Sequence, residues 1–198
     1  MINSEKGGIP INTKDVLLLL TDKWADWEAS YAITEVNSVK TIALDKTSKS
    51  SIGGLRAEID VSIEEYSDLS NLALVILPGG FSWQDNRYEE IAQFVKKVME
   101  QEIPIAAICG ATVFLGKHGL LDHVKHTGDD FSFFENQEGY QGATNFLEAQ
   151  VVRDKNIITA NETAAIEFVY KIYQVLEIDE PKELEDWYDY FKNGLIRE

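Results

Sequence analysis

The sequence predicts an α/β protein, a three-layer sandwich with a mostly parallel central sheet. Three observations carry this. Short apolar runs without helical spacing, residues 15–21 and 72–77, read as strands buried on both faces, as in parallel sheets. Between them lie segments with helical spacing, such as Ile91, Phe94, Val95, Val98 and Met99. The run 105–108 leads directly into Cys109, Gly110 and a stretch able to form a helix. Strands alternating with helices imply a parallel sheet covered on both faces.

The elements follow in chain order. Residues 15–21 form the first strand, and 22–27 a loop. Ala29, Ala32, Ile33 and Val36 repeat at helical spacing. Residues 39–44 form the second strand, and 48–55, small and glycine-bearing, a loop. Ala57, Ile59, Val61 and Ile63 alternate with polar residues, as in a half-exposed strand. Strand 72–77 stops at Pro78-Gly79-Gly80, and the helix of Ile91 to Met99 follows. Gly119 ends the helix after Cys109. Residues 129–146 show no clear period. Residues 149–152 and 156–159 flank Asp154-Lys155 as a hairpin, and Ala165 to Leu176 carries a helical apolar face. An acidic, aromatic helix occupies 181–191. The 198 residues are read as one domain with an acidic helical extension from about residue 180.

Charge and cysteine content narrow the function classes. With 18 basic and 34 acidic residues the net charge is −16, which disfavours nucleic acid and anionic membrane surfaces as partners. One cysteine makes no internal disulfide, as suits a reducing compartment. Residues 1–14 lack the apolar centre of a signal peptide, and no apolar run is long enough to span a bilayer. A cytoplasmic location is expected.

Cys109 is the focus. A cysteine between strand and helix sits on a sharp turn that pushes its sulfur out of the backbone. The helix N-terminus there favours thiolate. The alternative is a small buried hydrophobe at a strand end. Spacing shows no metal-ligand set, P-loop or GxGxxG, so neither metal nor cofactor is expected.

The pattern as a whole resembles the DJ-1/PfpI family, within the class I glutamine amidotransferase-like fold. The matching pieces are the first strand with Trp24-Ala-Asp-Trp-Glu28, Leu77-Pro-Gly-Gly80, Ala107-Ile-Cys-Gly-Ala-Thr112, and residues 151–159 with the helix after them. The resemblance covers about residues 14–178 and implies a flavodoxin-like architecture with a cysteine nucleophile elbow. It places the acidic residue of the first loop, here Glu28, beside Cys109. A protonated carboxyl there donates a hydrogen bond to a thiolate, lowering the thiol pKa while its own rises. Glu28 also reads as an ordinary acid in a first helical turn. The amides of Gly79 and Gly80, with that of Gly110, are expected to form an oxyanion hole.

The third catalytic position departs from the family pattern. Some members carry histidine directly after the cysteine, where this chain has Gly110. Others use a later histidine. Of His118, His123 and His126, the last lies nearest the expected segment, although Asp129 falls closer to the family's slot. Trp24, Trp27, Phe81, Trp83 and Tyr140 either line the pocket mouth, with Trp24 and Trp83 contacting substrate, or pack under loops or at a subunit interface.

The resemblance implies a cysteine-dependent hydrolase or amidase acting on a small molecule or peptide through Cys109, tuned by Glu28, and a homodimer. Its alternatives are a glyoxalase- or deglycase-like enzyme on reactive aldehydes, and a non-catalytic redox sensor or stress protein.

Overall fold

A computed structural model describes residues 14–36, 38–84 and 88–194. The reading of the N-terminus as leaderless falls largely outside them. The sheet runs β5-β2-β1-β6-β7-β9-β8. Here β1 is Asp15–Leu19, β2 Val39–Ala43, β5 Val61–Ser62, β6 Leu72–Leu77, β7 Ile105–Ile108, β8 Val151–Asp154 and β9 Ile157–Ala160. All neighbours pair parallel except β8 with β9. This is the mostly parallel, flavodoxin-like α/β architecture read from the sequence.

Strand alternation splits the core in two. Leu17, Leu19, Val75 and Leu77 face one side, against α2 (Glu89–Glu100) and α3 (Gly110–Lys117). Val16, Leu18, Leu74 and Ile76 face the other, against α1 (Asp26–Ser30) and α5 (Ala165–Leu176). Continuous apolar runs are what a sheet buried on both faces requires. On the outside, Leu184 and Trp187 of α6 (Pro181–Asn193) join the α5 side. Lys192 pairs with the buried Glu167 of α5 at 2.5 Å. Among the described residues no helix is long and apolar enough to cross a membrane.

Three local readings are corrected. The helix of Ala29 to Val36 is only the five residues of α1, then a run of turns. The strand expected over 57–63 is two pieces. β4 (Arg56–Ala57) pairs with β3 (Lys49–Ser50) in a separate two-stranded sheet, while β5 joins the edge of the main sheet. The stretch 129–146 contains a short helix, α4 (Ser132–Glu135), and a 3-10 turn at Ala143–Asn145.

Candidate active site

The chain turns sharply at Cys109, between the end of β7 and the start of α3. Its φ of 55° and ψ of −132° lie where side-chain-bearing residues are rarely found. Such strain costs on the order of 1–3 kcal/mol and persists only where the surroundings enforce it. Here they do: the Cys109 N–H donates to Ala160 O at 3.0 Å, and the Cys109 carbonyl accepts from the Thr112 N–H at 2.9 Å. The elbow is therefore pinned by β9 on one side and by the first turn of α3 on the other. The Gly110 N–H hydrogen-bonds the sulfur.

Glu28 comes from α1 and is fully buried. Its Oε2 accepts the Gly79 N–H at 2.6 Å, which takes that amide out of the expected oxyanion hole, and its carboxyl lies beside the Cys109 side chain. Oε1 is buried with no partner. Burial pushes the Glu28 carboxyl up to about 7 against the pull of the Gly79 hydrogen bond, and the charges of Asp129 and Glu162 add to the rise. The reading of Glu28 as a surface acid is thereby excluded.

The glycine turn after β6 fits closely around this pair. A Cβ at Gly79 would lie 2.6 Å from both Cys109 Cβ and Glu28 Oε2. Gly80 has a φ of 147°, and a Cβ there would meet Lys23 O at 2.4 Å. The bonds across this corner are Ala25 N–H to Gly79 O and Phe81 N–H to Lys23 O, which leave the Gly80 N–H outside the ladder. Gly110 lies against it, since its Cβ position is 3.0 Å from Gly80 O and 3.9 Å from Gly80 N.

The third neighbour of the sulfur is Asp129. Its carboxyl is hydrogen-bonded to Cys109, and Oδ1 accepts the Glu162 N–H at 2.7 Å. Burial raises its pKa. His126 is placed differently from the sequence expectation. It is fully buried, with Nδ1 2.8 Å from Val124 O and Nε2 2.7 Å from the Tyr140 hydroxyl. A carbonyl only accepts, so Nδ1 carries the proton and Nε2 accepts from Tyr140. Both nitrogens are thus occupied in an aromatic nest with Phe134 and Phe146. His118 faces Glu89, 3.6 Å away.

Two further expectations change. Trp83 is 2% exposed and packs on Phe114, while its Nε1 donates to Pro78 O at 2.8 Å. It braces the glycine turn from inside and lines no pocket mouth. Trp24 is also buried, its backbone bridging Gly80 and Ser51. Trp27 and Phe81 are the exposed aromatics near these loops.

The thiol itself shifts opposite to the sequence expectation. Burial, then the charges of Glu28 and Asp129, raise its pKa, and the Gly110 N–H only partly opposes them. The sequence also gave no metal-ligand spacing. The fold nevertheless brings one ligand atom each of Cys109, Asp129 and Glu162 within 4.8 Å of one another. Glu162 was missed because it follows β9 in a loop with no motif of its own.

The chain is similar to known proteins in sequence and fold. The family model of the DJ-1/PfpI family matches residues 14–175. The chain is 40% identical to the uncharacterized protease YdeA of Bacillus subtilis over 177 residues, covering 87% of this chain and 88% of that one. It is 32% identical to the uncharacterized protease YoaZ of the same organism over 191 residues, 90% of each. The thiJ/pfpI family protein from Bacillus anthracis superposes with a TM-score of 0.89 at 28% identity, covering 94% of both chains. A strained cysteine elbow facing a buried glutamate across a double-glycine turn, within this sheet order and with these matches, identifies the chain as a member of the DJ-1/PfpI family.

Proposed function

We propose that the protein is a cysteine-dependent hydrolase acting on an amide or ester of a small molecule or peptide. The observation that carries this reading is the elbow: Cys109 at positive φ, its side chain packed against the buried carboxyl of Glu28 at the Gly79 corner. Because burial holds the sulfur as a thiol, attack requires a base already in place. Glu28, raised to about 7, is matched to that task near neutral pH.

In this mechanism the Cys109 S–H proton passes to the Glu28 carboxylate as the sulfur bonds to the substrate carbonyl carbon. The C=O electron pair moves to oxygen, and the Gly80 and Gly110 N–H groups receive that charge. The intermediate collapses to a thioester. The leaving amine or alcohol departs with the proton that Glu28 holds. Water then hydrolyses the thioester, releasing the acid and restoring the thiol. The names of the two Bacillus relatives agree with hydrolysis as the reaction class.

A second reading rests on the groups around the sulfur, which are two carboxyls and an amide: Glu28, Asp129 and Gly110. Addition of the thiol to an aldehyde needs one nucleophile and one proton donor, and no amine leaving group. This set suits a glyoxalase-like reaction on reactive aldehydes. A panel of amide, ester, peptide and 2-oxoaldehyde substrates, run on wild type and Cys109→Ser, separates the two. Turnover of an amide or ester, abolished in Cys109→Ser, supports the hydrolase. Turnover confined to the aldehyde supports the second reading, and activity that survives Cys109→Ser overturns both.

A further inference from the structure

Glu28 reaches the sulfur from α1, a helix of five residues with no side-chain cap at its N-terminus. A helix this short does not hold itself in place, so packing sets the position of the carboxyl. The N-terminal end of α1 is tied to the glycine corner and to a neighbouring loop. The Ala25 N–H donates to Gly79 O at 3.0 Å, and Asp26 Oδ2 accepts the Gly53 N–H at 2.9 Å. The C-terminal end is tied to the last two helices. The hydroxyl of Tyr173, on α5 and fully buried, donates to the Tyr31 carbonyl at 2.5 Å. The Tyr31 ring meets the Phe191 ring of α6 edge-on, with centroids 5.4 Å apart. Phe191 packs on Trp187 at 4.8 Å, and Trp187 on Tyr173 at 5.1 Å. The four side chains close a circuit through α1, α6 and α5.

We infer that α6 is the positioning element for Glu28: through Phe191 and Tyr31 it fixes the end of α1, and so holds the carboxyl at Cys109. α6 is itself held firmly. Leu184 is buried, and Glu167 Oε1 of α5 accepts Lys192 Nζ at 2.5 Å and the Tyr188 hydroxyl at 3.3 Å. The Phe191–Tyr31 contact is placed at the surface, since Phe191 is 40% exposed and Tyr31 37%, so it contributes direction to α1 more than mass to the core. Edge-to-face rings prefer one orientation as well as one distance. α6 lies beyond residues 14–175, the part of the chain that the family model matches, so the family match assigns it no role. Packed rings and one rigid element are enough to carry coupling. The path runs from Phe191 to Tyr31, back one turn of α1 to Glu28, and from Glu28 to the sulfur. Loss of the Phe191 ring frees the end of α1, admits solvent to Glu28 and lets its carboxyl leave the elbow.

The inference deepens the reading of Glu28 as the group beside the nucleophile, but it is tested without turnover, so it fails separately from the hydrolase reading. The readout is the titration of Glu28, followed by carboxyl-carbon NMR of glutamate-labelled protein, with Glu28→Gln identifying the resonance. Burial holds the wild-type midpoint at about 7, and the charges acting on it are those of Asp129 and Glu162, with Cys109 as its other titratable neighbour. None of the three lies on α6, so a variant there leaves them in place. Phe191→Ala is expected to lower the Glu28 midpoint by at least about one pH unit, tenfold in proton affinity, as the carboxyl gains solvent. Phe191→Tyr keeps the ring and is expected to keep the midpoint. Val98→Ala, in α2 on the opposite face of the sheet, is the control that loses stability without touching the circuit. Circular dichroism checks each fold. Tyr173→Phe, which removes only a hydroxyl, takes the place of Phe191→Ala if that variant does not fold. A midpoint unchanged in the variant, a fall that Phe191→Tyr or Val98→Ala reproduces, or a wild-type midpoint near the ordinary 4.5 overturns the inference.

Discussion

The Gly79 N–H donates a 2.6 Å hydrogen bond to Glu28 Oε2 across 51 residues of chain. It ties the corner after β6 to α1 and aims the carboxyl at the elbow. The contact is also sterically closed, since a Cβ at Gly79 would lie 2.6 Å from Cys109 Cβ and from Glu28 Oε2. Gly79→Ala is therefore expected to lower stability by about 1–3 kcal/mol, the usual cost of overpacking. It should also displace Glu28 from the sulfur. Urea unfolding together with the rate of Cys109 alkylation checks both effects. An alanine variant as stable as wild type, with unaltered alkylation, contradicts this packing.

Glu28 makes stability depend on pH. Its carboxyl is raised from 4.5 to about 7 by burial, so the folded state holds its proton more tightly than the unfolded state. Its contribution is fully present below about pH 4.5 and is lost as pH rises through about 7. The span corresponds to roughly 3 kcal/mol at about 1.36 kcal/mol per pKa unit. Glu28→Gln removes this dependence. Between pH 5 and pH 8, wild type is expected to lose stability relative to Glu28→Gln when both are unfolded in urea. Parallel pH profiles for the two proteins would show that Glu28 titrates normally.

The acidic neighbours hold the proton on Cys109. In wild type, the pH midpoint of iodoacetamide alkylation is expected above the free-thiol value of about 8.5. Asp129→Asn removes one of the two named charges and should move the midpoint down, raising the rate near pH 7.5. Glu28→Gln should act in the same direction. A midpoint that rises in either variant means that the carboxyl donates to thiolate, as the sequence first suggested.

His126 serves the fold. Replacing it by Phe leaves Val124 O and the Tyr140 hydroxyl without their ring partner. The expected cost is about 1–3 kcal/mol of stability, with the alkylation pH profile unchanged. A shifted profile would place the imidazole in the sulfur's titration.

Much of the scaffold was legible because burial and backbone preference are local. Residues 15–21 and 72–77 announce strands covered on both faces, and the run into Cys109 announces a strand, turn and helix. The expected strand over 57–63 misread its alternation, because β4 pairs with β3 instead of the main sheet. Periodicity records which face is buried, and not which strand is the neighbour. Trp24 and Trp83 were placed near the right loops, but a sequence gives no direction for a side chain on a turn. Both point into the protein.

The approach of Glu28 to Cys109 was implied only by the family resemblance; the sequence by itself determined the alternation of strands and helices, the elbow at Cys109 and the glycine turn. These follow from hydrophobic runs, glycine placement and motif order. Tertiary structure alone decided which groups meet the sulfur and in which direction its proton is held. Asp129, which the family resemblance already put near the third position, reaches Cys109 from the loop before β8, whereas Glu162 comes from the loop after β9 at a sequence distance that no local pattern records. The thiol was expected to be acidic from its helix N-terminus, yet burial and two neighbouring carboxyls outweigh that field. Desolvation and charge act through space, and the space is defined only once the strand ends come together.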